Sequence, residues 1–327
     1  MASPGGRSGV GLSGVAGVLP AHRISLAELN ATGRISSSPA TLSSFGFDGA
    51  HVCGPADSAC SLALAAARNA LLDAALEPDQ IDLVIWASAR PENHLRPANE
   101  GTRAAGAGLM DGFRYASGWL QETLELHNAE VMAVAQQGCS TMFAALRVAR
   151  SMLLAEPRRR HVLCVGADIL PADAPREILY NVISDAACAV VVSRDCPRDR
   201  WIADRHLSRG YYWDPVARQS EIVAAYFPTA KTLIDQLLFD NGLAPDQVDV
   251  VVPTGVNRAS WQILMRLVGI PEGRFFDGLP SFGHTMTSDN FLYLQALRAT
   301  SGVARGARLL LFTYGFGSSW CAILLEH

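Results

Sequence analysis

The chain has 327 residues, of which 49% are hydrophobic and 18% are charged, so it can bury a large core in one or two domains. A formal net charge of −4 argues against a nucleic-acid partner that is recognised mainly through its phosphates. Seven cysteines without a C-x-x-C pair argue against a disulfide framework or a zinc site, so we expect a cytoplasmic protein. No apolar run has the ~18–20 residues of a membrane span, so we expect no membrane association.

In chain order, the first half alternates between strand-like and helix-like patterns. Runs of β-branched residues predict buried strands, and apolar residues at three- and four-residue spacing predict helices. These patterns predict strands at 10–18, 81–87, 130–135, 161–165 and 186–192, and helices at 62–75, 117–126 and 141–154. The Gly- and Ala-rich stretch 90–115 fits neither pattern.

The segment 196–219 is predicted to be irregular, and we divide the chain there into a first half, 1–195, and a second half, 196–327. The second half repeats the alternation, with helices at 221–240, 259–268 and 286–299, strands at 248–253, 308–314 and 320–325, and a turn at 277–283. Alternating strands and helices in both halves predict an α/β fold with parallel sheets.

Two nearly identical segments, P-D-Q-I-D-L-V-I at 78–85 and P-D-Q-V-D-V-V-V at 245–252, indicate an internal duplication. A second matched pair, Cys139-Ser-Thr-Met and His284-Thr-Met-Thr, opens an apolar stretch in each half. The first pair is 167 residues apart and the second 145, so we predict an insertion of 22 residues in the first half, near 90–120. If the copies pack about a pseudo-two-fold axis, Cys139 and His284 can meet at the centre.

Cys139 is the candidate nucleophile. It follows a glycine at a predicted strand-to-helix turn, where the helix dipole and unpaired amides favour a thiolate. A thiolate takes an acyl group from a thioester. A buried structural cysteine is the alternative, but the turn and the matched histidine favour the nucleophile. His284 could donate to a thioester oxygen, accept a proton from an incoming nucleophile, or hold Cys139 as a thiolate.

Nearly the whole chain resembles the thiolase superfamily, and within it the β-ketoacyl-(acyl carrier protein) synthase III-like proteins. Residues 133–142 resemble the family's nucleophile turn, and 248–257 resemble the stretch that carries its catalytic histidine in a Pro-His-x-x-Asn pattern. Residues 282–285 resemble the turn of its catalytic asparagine, and 314–320, with Ser318, resemble the Gly-rich loop whose amide helps form the oxyanion hole. The resemblance implies a thiolase-like duplicated fold of five layers, α-β-α-β-α, and a homodimer.

Two positions depart from the family pattern. The histidine position is Thr254, although Pro253 and Asn257 are kept, and the asparagine position is His284. Threonine cannot act as a base at neutral pH. A histidine at the second position resembles the Gly-His-Thr turn of the elongating ketosynthases. Decarboxylative condensation normally uses two polar donors to stabilise an enolate, and one of them is changed here.

A second resemblance is to the synthase III-like acyltransferases of antibiotic pathways, and it rests on Arg258-Ala-Ser260-Trp261 together with Gly283-His284 and Ser288-Asp289. These proteins load an acyl group on cysteine and pass it to a hydroxyl or amine of a small acceptor. Asp289 could orient His284, contact the acceptor, or be only an acidic residue at a helix N-terminus.

These observations predict an acyltransferase of secondary metabolism, such as polyketide antibiotic biosynthesis. Cys139 and His284 are the predicted catalytic residues, and the oxyanion or substrate-binding candidates are Asn257, Ser318, Thr254 and Asp289. The expected partners are an acyl thioester of coenzyme A or of a phosphopantetheine carrier protein and an acceptor that attacks through a hydroxyl, amine or carbanion. We expect no metal and no permanently bound cofactor. The alternatives are decarboxylative condensation with a malonyl thioester, using His284 and Asn257, and a non-catalytic subunit of a ketosynthase heterodimer.

Overall fold

The computed structural model describes residues 9–90, 110, 113–300, 303–316 and 318–327. The strands are β1 (Val10–Val18), β2 (Arg23–Ser25), β3 (Gly49–His51), β4 (Leu83–Ala87), β5 (Glu130–Val134), β6 (His161–Asp168), β7 (Glu177–Ile178), β8 (Asn181–Val182), β9 (Ala186–Arg194), β10 (Arg200–Ser208), β11 (Val250–Val252), β12 (Arg308–Gly315) and β13 (Ser319–Glu326). The helices are α1 (Leu26–Ala31), α2 (Pro39–Ser44), α3 (Ala59–Ala74), α4 (Ala116–Thr123), α5 (Thr141–Ala155), α6 (Gln219–Asp240), α7 (Arg258–Val268), α8 (Leu279–Phe282) and α9 (Asp289–Ala299). Among these described helices, none has the length and apolar character needed to cross a membrane.

Nine of the described strands form one mixed sheet in the order β11-β12-β13-β10-β1-β9-β6-β4-β5. In the first half, β5, β4 and β6 run parallel, followed by antiparallel β9 and β1. The second half repeats this arrangement with parallel β11 and β12, then antiparallel β13 and β10. A bridge between Val251 and Phe275 occupies the position that β5 has in the first half. The duplication predicted from the sequence is therefore confirmed by the strand order.

The helices lie in layers on both sides of the two sets of strands. The central layer holds α5 and α9, which meet through Phe143 and Phe291 with ring centroids 5.9 Å apart, and one apolar cluster joins them to strands of both halves. The outer face of the first set is covered by α3 and α4, and that of the second by α6 and α7. This is the predicted five-layer α-β-α-β-α arrangement. It explains why β6 and β9 read as continuous apolar runs, since both of their faces are buried.

The repeated sequence segments form the same local structure. Pro78–Gln80 and Pro245–Gln247 each make a 3₁₀ turn, and in each the glutamine side chain accepts the backbone amide three residues upstream at 2.8 Å. The aspartate that follows, Asp82 or Asp249, accepts a backbone amide at the start of the neighbouring strand, at 2.7 and 2.8 Å. The glutamine and the second aspartate of the repeat thus have the same structural partners in both halves, which accounts for their retention.

The prediction that 196–219 is irregular is wrong in part, because Arg200–Ser208 forms the strand β10. Its charged residues obscure the apolar pattern of the strand. One of them, Asp204, pairs with Arg147 of α5 at 2.9 Å, and the Arg147 side chain is partly exposed. The division after residue 195 lies five residues before β10 and stays a prediction. Most of the proposed insertion near 90–120 lies outside the described residues, which resume with α4 at its end.

Candidate active site

The turn that carries Cys139 is tightly packed against the Gly-rich loop after β12. Gln136 and Gly138 both have positive φ, +68° and +53°, and a 3₁₀ turn over Gly138–Ser140 leads directly into α5. A Cβ on Gly138 would lie 2.5 Å from the carbonyl oxygen of Phe316, and one on Gly315 would lie 1.8 Å from that of Gln137. Glycine is required at both positions, because the two backbones approach closely there.

The ring of His284 faces the thiol of half-buried Cys139, with Nε2 3.5 Å from Sγ. The backbone of His284 is held on both sides. Its amide donates to the carbonyl oxygen of Val182, and its carbonyl accepts the amide of Ser184, both at 2.8 Å. The segment between β8 and β9 therefore sets the position of the imidazole.

Cys139 and His284 do not occupy strictly matched places in the two halves, which differs from the sequence-based expectation. Cys139 lies two residues before α5, whereas His284 lies five residues before α9. They meet because the 3₁₀ turns Gly138–Ser140 and Met286–Ser288 contact each other where the two central helices begin.

Asp289 lies behind His284 and is fully buried. Its Oδ2 accepts a hydrogen bond from Nδ1 of His284 at 2.7 Å, from the hydroxyl of Thr254 at 2.8 Å and from the amide of Gly255 at 2.7 Å. Its Oδ1 accepts the amide and the hydroxyl of Thr285, at 2.6 and 2.8 Å. With this many donors the carboxylate is stabilised in its ionised form. Cys139, His284 and Asp289 form a hydrogen-bonded series of thiol, imidazole and buried carboxylate, which is the geometry that a nucleophile, a base and an orienting carboxylate require.

Electrostatics at the site favour a protonated His284. Burial lowers the pKa of His284, but the negative charges of Asp289 and Cys139 and the hydrogen bonds to both outweigh it, so the pKa is raised well above 6.5. Burial raises the pKa of Asp289, but His284 and the backbone amides of Thr285 and Gly255 bring it below its usual value. Both shifts favour an imidazolium that faces a carboxylate.

Thr254 and Asn257, the other residues of the predicted histidine stretch, have different surroundings. Thr254 is buried and its hydroxyl is used to hold Asp289. Asn257 lines the cavity described below, but its Oδ1 caps α7 by accepting the amide and hydroxyl of Ser260, each at 3.0 Å. Its Nδ2 lies 3.4 Å from Oδ1 of Asn181. A contact of Asn257 with substrate stays a prediction.

Ser318, the predicted oxyanion residue of the Gly-rich loop, has both of its donors engaged. Its amide donates to the carbonyl oxygen of Gly315 at 2.9 Å and its hydroxyl to that of Tyr212 at 3.3 Å. Gly317, its neighbour in the predicted loop, lies outside the described residues. These bonds make Ser318 a residue that shapes the loop beside Cys139, and its contribution to an oxyanion site stays a prediction.

A cavity of about 390 Å³ opens at Cys139 and His284. Its walls are mainly apolar and include Ala89, Ile178, Leu179, Ile183, Ile222, Val223, Phe227, Val256, Met286 and Phe316. Three tyrosines, Tyr180, Tyr226 and Tyr314, also line it. From the sequence alone, Tyr226 and Tyr314 are indistinguishable from core aromatics of a helix and a strand. A cavity of this kind suits an organic group with an apolar body.

Comparisons with known proteins agree with this fold and site. Residues 135–209 match the family model of 3-oxoacyl-[acyl-carrier-protein (ACP)] synthase III, and residues 238–327 match the model of its C-terminal part. A curated relative is the beta-ketoacyl-[acyl-carrier-protein] synthase III of Sphingopyxis alaskensis, 26% identical over 96% of this chain and 98% of the relative. The enzyme of the same name from Aquifex aeolicus is 24% identical over 81% of this chain and 83% of its own.

Solved structures of low sequence identity share the fold. The 3-oxoacyl-[acyl-carrier-protein] synthase III of Aquifex aeolicus has a TM-score of 0.82 at 21% identity, over 98% of this chain and all of the other. ChlB3, which is named as an acyltransferase, has a TM-score of 0.81 at 20% identity, over 97% of each chain. The fold is that of the thiolase superfamily. Within that superfamily, the chain belongs to the β-ketoacyl-(acyl carrier protein) synthase III-like family.

Proposed function

We propose that the protein is an acyltransferase that loads an acyl group on Cys139 from a coenzyme A or carrier-protein thioester and passes it to a small-molecule acceptor. The observation that carries the proposal is the series from Cys139 Sγ through the imidazole of His284 to the buried carboxylate of Asp289. In such a series a thiolate next to an imidazolium is the attacking group, and the oriented imidazole moves protons in both steps.

In the first step, the sulfur of Cys139 attacks the thioester carbonyl, and the carbon–sulfur bond to the carrier breaks. The carrier thiolate leaves and takes the proton of the His284 imidazolium. In the second step, a hydroxyl, amine or carbanion of the acceptor attacks the acyl-cysteine, and the sulfur of Cys139 is the leaving group. A hydroxyl or amine acceptor, or the C–H acid from which a carbanion forms, gives its proton to the now neutral His284. The net reaction moves the acyl group and returns Cys139 and His284 to their starting state.

The oxyanion of each tetrahedral intermediate needs hydrogen-bond donors beside Cys139. We assign this role to backbone amides of the Cys139 turn and of the Gly-rich loop after β12, which pack together through Gly138 and Gly315. Thr254 and Asp289 then act behind the imidazole, and Ser318 holds the loop in place. Asp289 is buried and has five donors, which supports an orienting role over contact with the acceptor.

ChlB3 has the same fold and is named as an acyltransferase, which is compatible with this proposal. Decarboxylative condensation is the second candidate, because the curated relatives that cover nearly the whole chain are β-ketoacyl synthases. It needs a second polar donor for the enolate, in addition to His284. Thr254, at the position where the family has a histidine, already donates its hydroxyl to Asp289, and this is why we place transfer first. Asn257 caps α7 through its acceptor oxygen Oδ1, so its Nδ2 is the donor that condensation would have to use.

The test is intact-protein mass spectrometry after incubation with a panel of acyl and malonyl thioesters. A covalent adduct is expected on the wild type and absent from Cys139→Ala. Retained labelling of Cys139→Ala would refute the assignment of the nucleophile. No adduct with any donor would favour the non-catalytic subunit, and restoration of labelling by a second chain would identify a heterodimer.

Two further measurements separate the candidate reactions. Release of carbon dioxide from a malonyl thioester, with formation of a carbon–carbon bond, would establish condensation instead of transfer. His284→Ala should slow decay of a preformed acyl-enzyme in the presence of acceptor more than it slows loading. Equal loss of both steps would mean that His284 serves mainly to activate the thiol.

A further inference from the structure

Two tyrosines from different layers meet in the wall of the cavity beside Cys139. Tyr226 belongs to α6 and Tyr314 to β12, and their rings are 5.5 Å apart between centroids and nearly perpendicular, at 83°. Both line the cavity that contains Cys139 and His284. The pair therefore adds two phenols to the wall of the cavity that opens at Cys139.

The hydroxyl of Tyr314 is buried and makes no hydrogen bond with any residue that the structure describes. The polar group next to the Tyr314 hydroxyl is the hydroxyl of Ser318. The Ser318 hydroxyl, however, donates to the carbonyl oxygen of Tyr212 at 3.3 Å. A phenylalanine would preserve the ring contacts with Trp320 and Phe316 without burying an unpaired hydroxyl. Buried polar groups normally have partners, so an unpaired one in a cavity wall points to a ligand atom that completes it.

Among the other uncharged polar side chains of the cavity wall, three are already paired with one another, and a further one, Tyr180, is exposed. The side chains of Asn181, Asn257 and Ser260 bond to one another, and most of the remaining wall is aliphatic or aromatic. Burial is the main cause that raises the pKa of Tyr314 to about 12. Ser318 lowers this pKa, and Cys139 raises it further. Burial likewise raises the pKa of Tyr226. Both phenols are therefore neutral donors at physiological pH.

We propose that Tyr226 and Tyr314 determine which acyl groups are accepted, by hydrogen-bonding to an oxygen substituent of the acyl group held at Cys139. The substrate class is an acyl thioester with an apolar chain or ring and a hydroxyl or keto oxygen a few bonds from the thioester carbon. An unsubstituted alkanoyl group leaves the phenols unpaired and is disfavoured, since a site built to bond an oxygen discriminates against the analogue that lacks it. This inference rests on the proposed loading of Cys139.

The experiment compares initial rates of Cys139 acylation by intact mass, using donors matched in carbon skeleton. The pairs are 3-hydroxyhexanoyl- and hexanoyl-coenzyme A, and hydroxybenzoyl- and benzoyl-coenzyme A. We expect the wild type to prefer the oxygenated donor of at least one pair by about ten-fold or more. Tyr314→Phe should remove most of that preference by slowing the oxygenated donor alone, and Tyr226→Phe should reduce it in the same direction.

Tyr293→Phe is the matched control, because it removes another buried, unpaired phenol hydroxyl that does not line the cavity. Its ratio of rates should equal that of the wild type, and thermal unfolding of each variant checks the fold. Equal slowing of both donors by Tyr314→Phe would overturn the inference and assign the hydroxyl to the thioester carbonyl or to packing. A wild type that loads both donors equally would also overturn it, whereas no loading by any thioester would instead refute the proposed function.

Discussion

Nδ1 of His284 lies 2.7 Å from Oδ2 of Asp289, five residues later in the chain. The same oxygen accepts the hydroxyl of Thr254, the residue at the position where the family resemblance implies a histidine. In this protein, that position supports the carboxylate behind the imidazole. The change at Thr254 and the presence of His284 and Asp289 are thus parts of one hydrogen-bonded arrangement.

Asp289→Asn should slow acyl transfer strongly while Cys139 stays in place. An amide in that position loses the charge that stabilises the imidazolium and turns an NH₂ toward donors such as the amide of Gly255. By analogy with other triads, we expect a loss of roughly 10²–10⁴ in the transfer rate, measured as decay of the acyl-enzyme with saturating acceptor. Thr254→Val removes one of the five bonds and keeps the charge, so its loss should be much smaller. Equal losses in the two variants would contradict a role for the charge of Asp289.

The pKa of His284 should fall when the charge at Cys139 is removed. That charge is one cause of the raised pKa, so Cys139→Ala should lower the value, although Asp289 still raises it. Imidazole resonances followed by NMR across a pH titration measure the change directly. Acylation also removes the charge on sulfur, and His284 must be neutral to accept a proton, so transfer should become faster as pH rises through the pKa of the acyl-enzyme. An unchanged pKa in Cys139→Ala would show that the two groups are not coupled.

Gly138→Ala should distort the nucleophile turn. The residue has φ of +53°, and its Cβ would lie 2.5 Å from the carbonyl oxygen of Phe316. We expect a loss of roughly 1–3 kcal/mol in the free energy of unfolding and a drop of about 100-fold in loading of Cys139, since small displacements of reacting groups are costly.

Gly118→Ala is the control. Gly118 lies in α4 with nothing within 4 Å of the added carbon, so this variant should gain about 0.5–1 kcal/mol in the free energy of unfolding. Denaturant unfolding and adduct formation test both; normal loading by Gly138→Ala would contradict the need for this geometry.

His206 should make the fold sensitive to acid. Its Nε2 lies 2.6 Å from Sγ of Cys321 and 3.2 Å from Oε1 of Gln137, on the inner side of the nucleophile turn. Burial first, and then the charge of Arg147, lower its pKa to about 4 from 6.5, against the effect of Asp204. Between pH 6.5 and 4 the unfolded chain binds a proton that the folded chain does not, so stability falls as pH is lowered. One proton corresponds to at most about 1.4 kcal/mol per pH unit.

Urea unfolding at several pH values between 7 and 4 measures this dependence. His206→Gln should flatten it, and a residual slope is expected from His161, whose pKa burial also lowers. His22→Gln, at an exposed position, is the control and should keep the wild-type slope. An identical slope in His206→Gln would contradict a buried neutral imidazole at this site.

Local patterns in the sequence determined much of the fold. The repeated segments at 78–85 and 245–252 predict a duplicated architecture, because the same turn and strand form wherever the same short-range hydrogen bonds are available. Apolar periodicity likewise predicts the central helices α5 and α9. Apolar periodicity does not predict β10, because charged residues interrupt its pattern, and Arg147, the partner of its Asp204, lies far away in the sequence on α5.

The sequence by itself also indicated a nucleophilic cysteine at a strand-to-helix turn and a histidine in a second turn. Only the tertiary structure decided that Sγ of Cys139 and Nε2 of His284 lie 3.5 Å apart. It also decided that the hydroxyl of Thr254 donates to Asp289 and that Oδ1 of Asn257 caps a helix. The same holds for the cavity where Tyr226 meets Tyr314. Helix and strand preferences act over a few neighbouring residues, whereas the contacts that join Cys139 to His284 and Thr254 to Asp289 span more than 30 residues and exist only once the layers have packed.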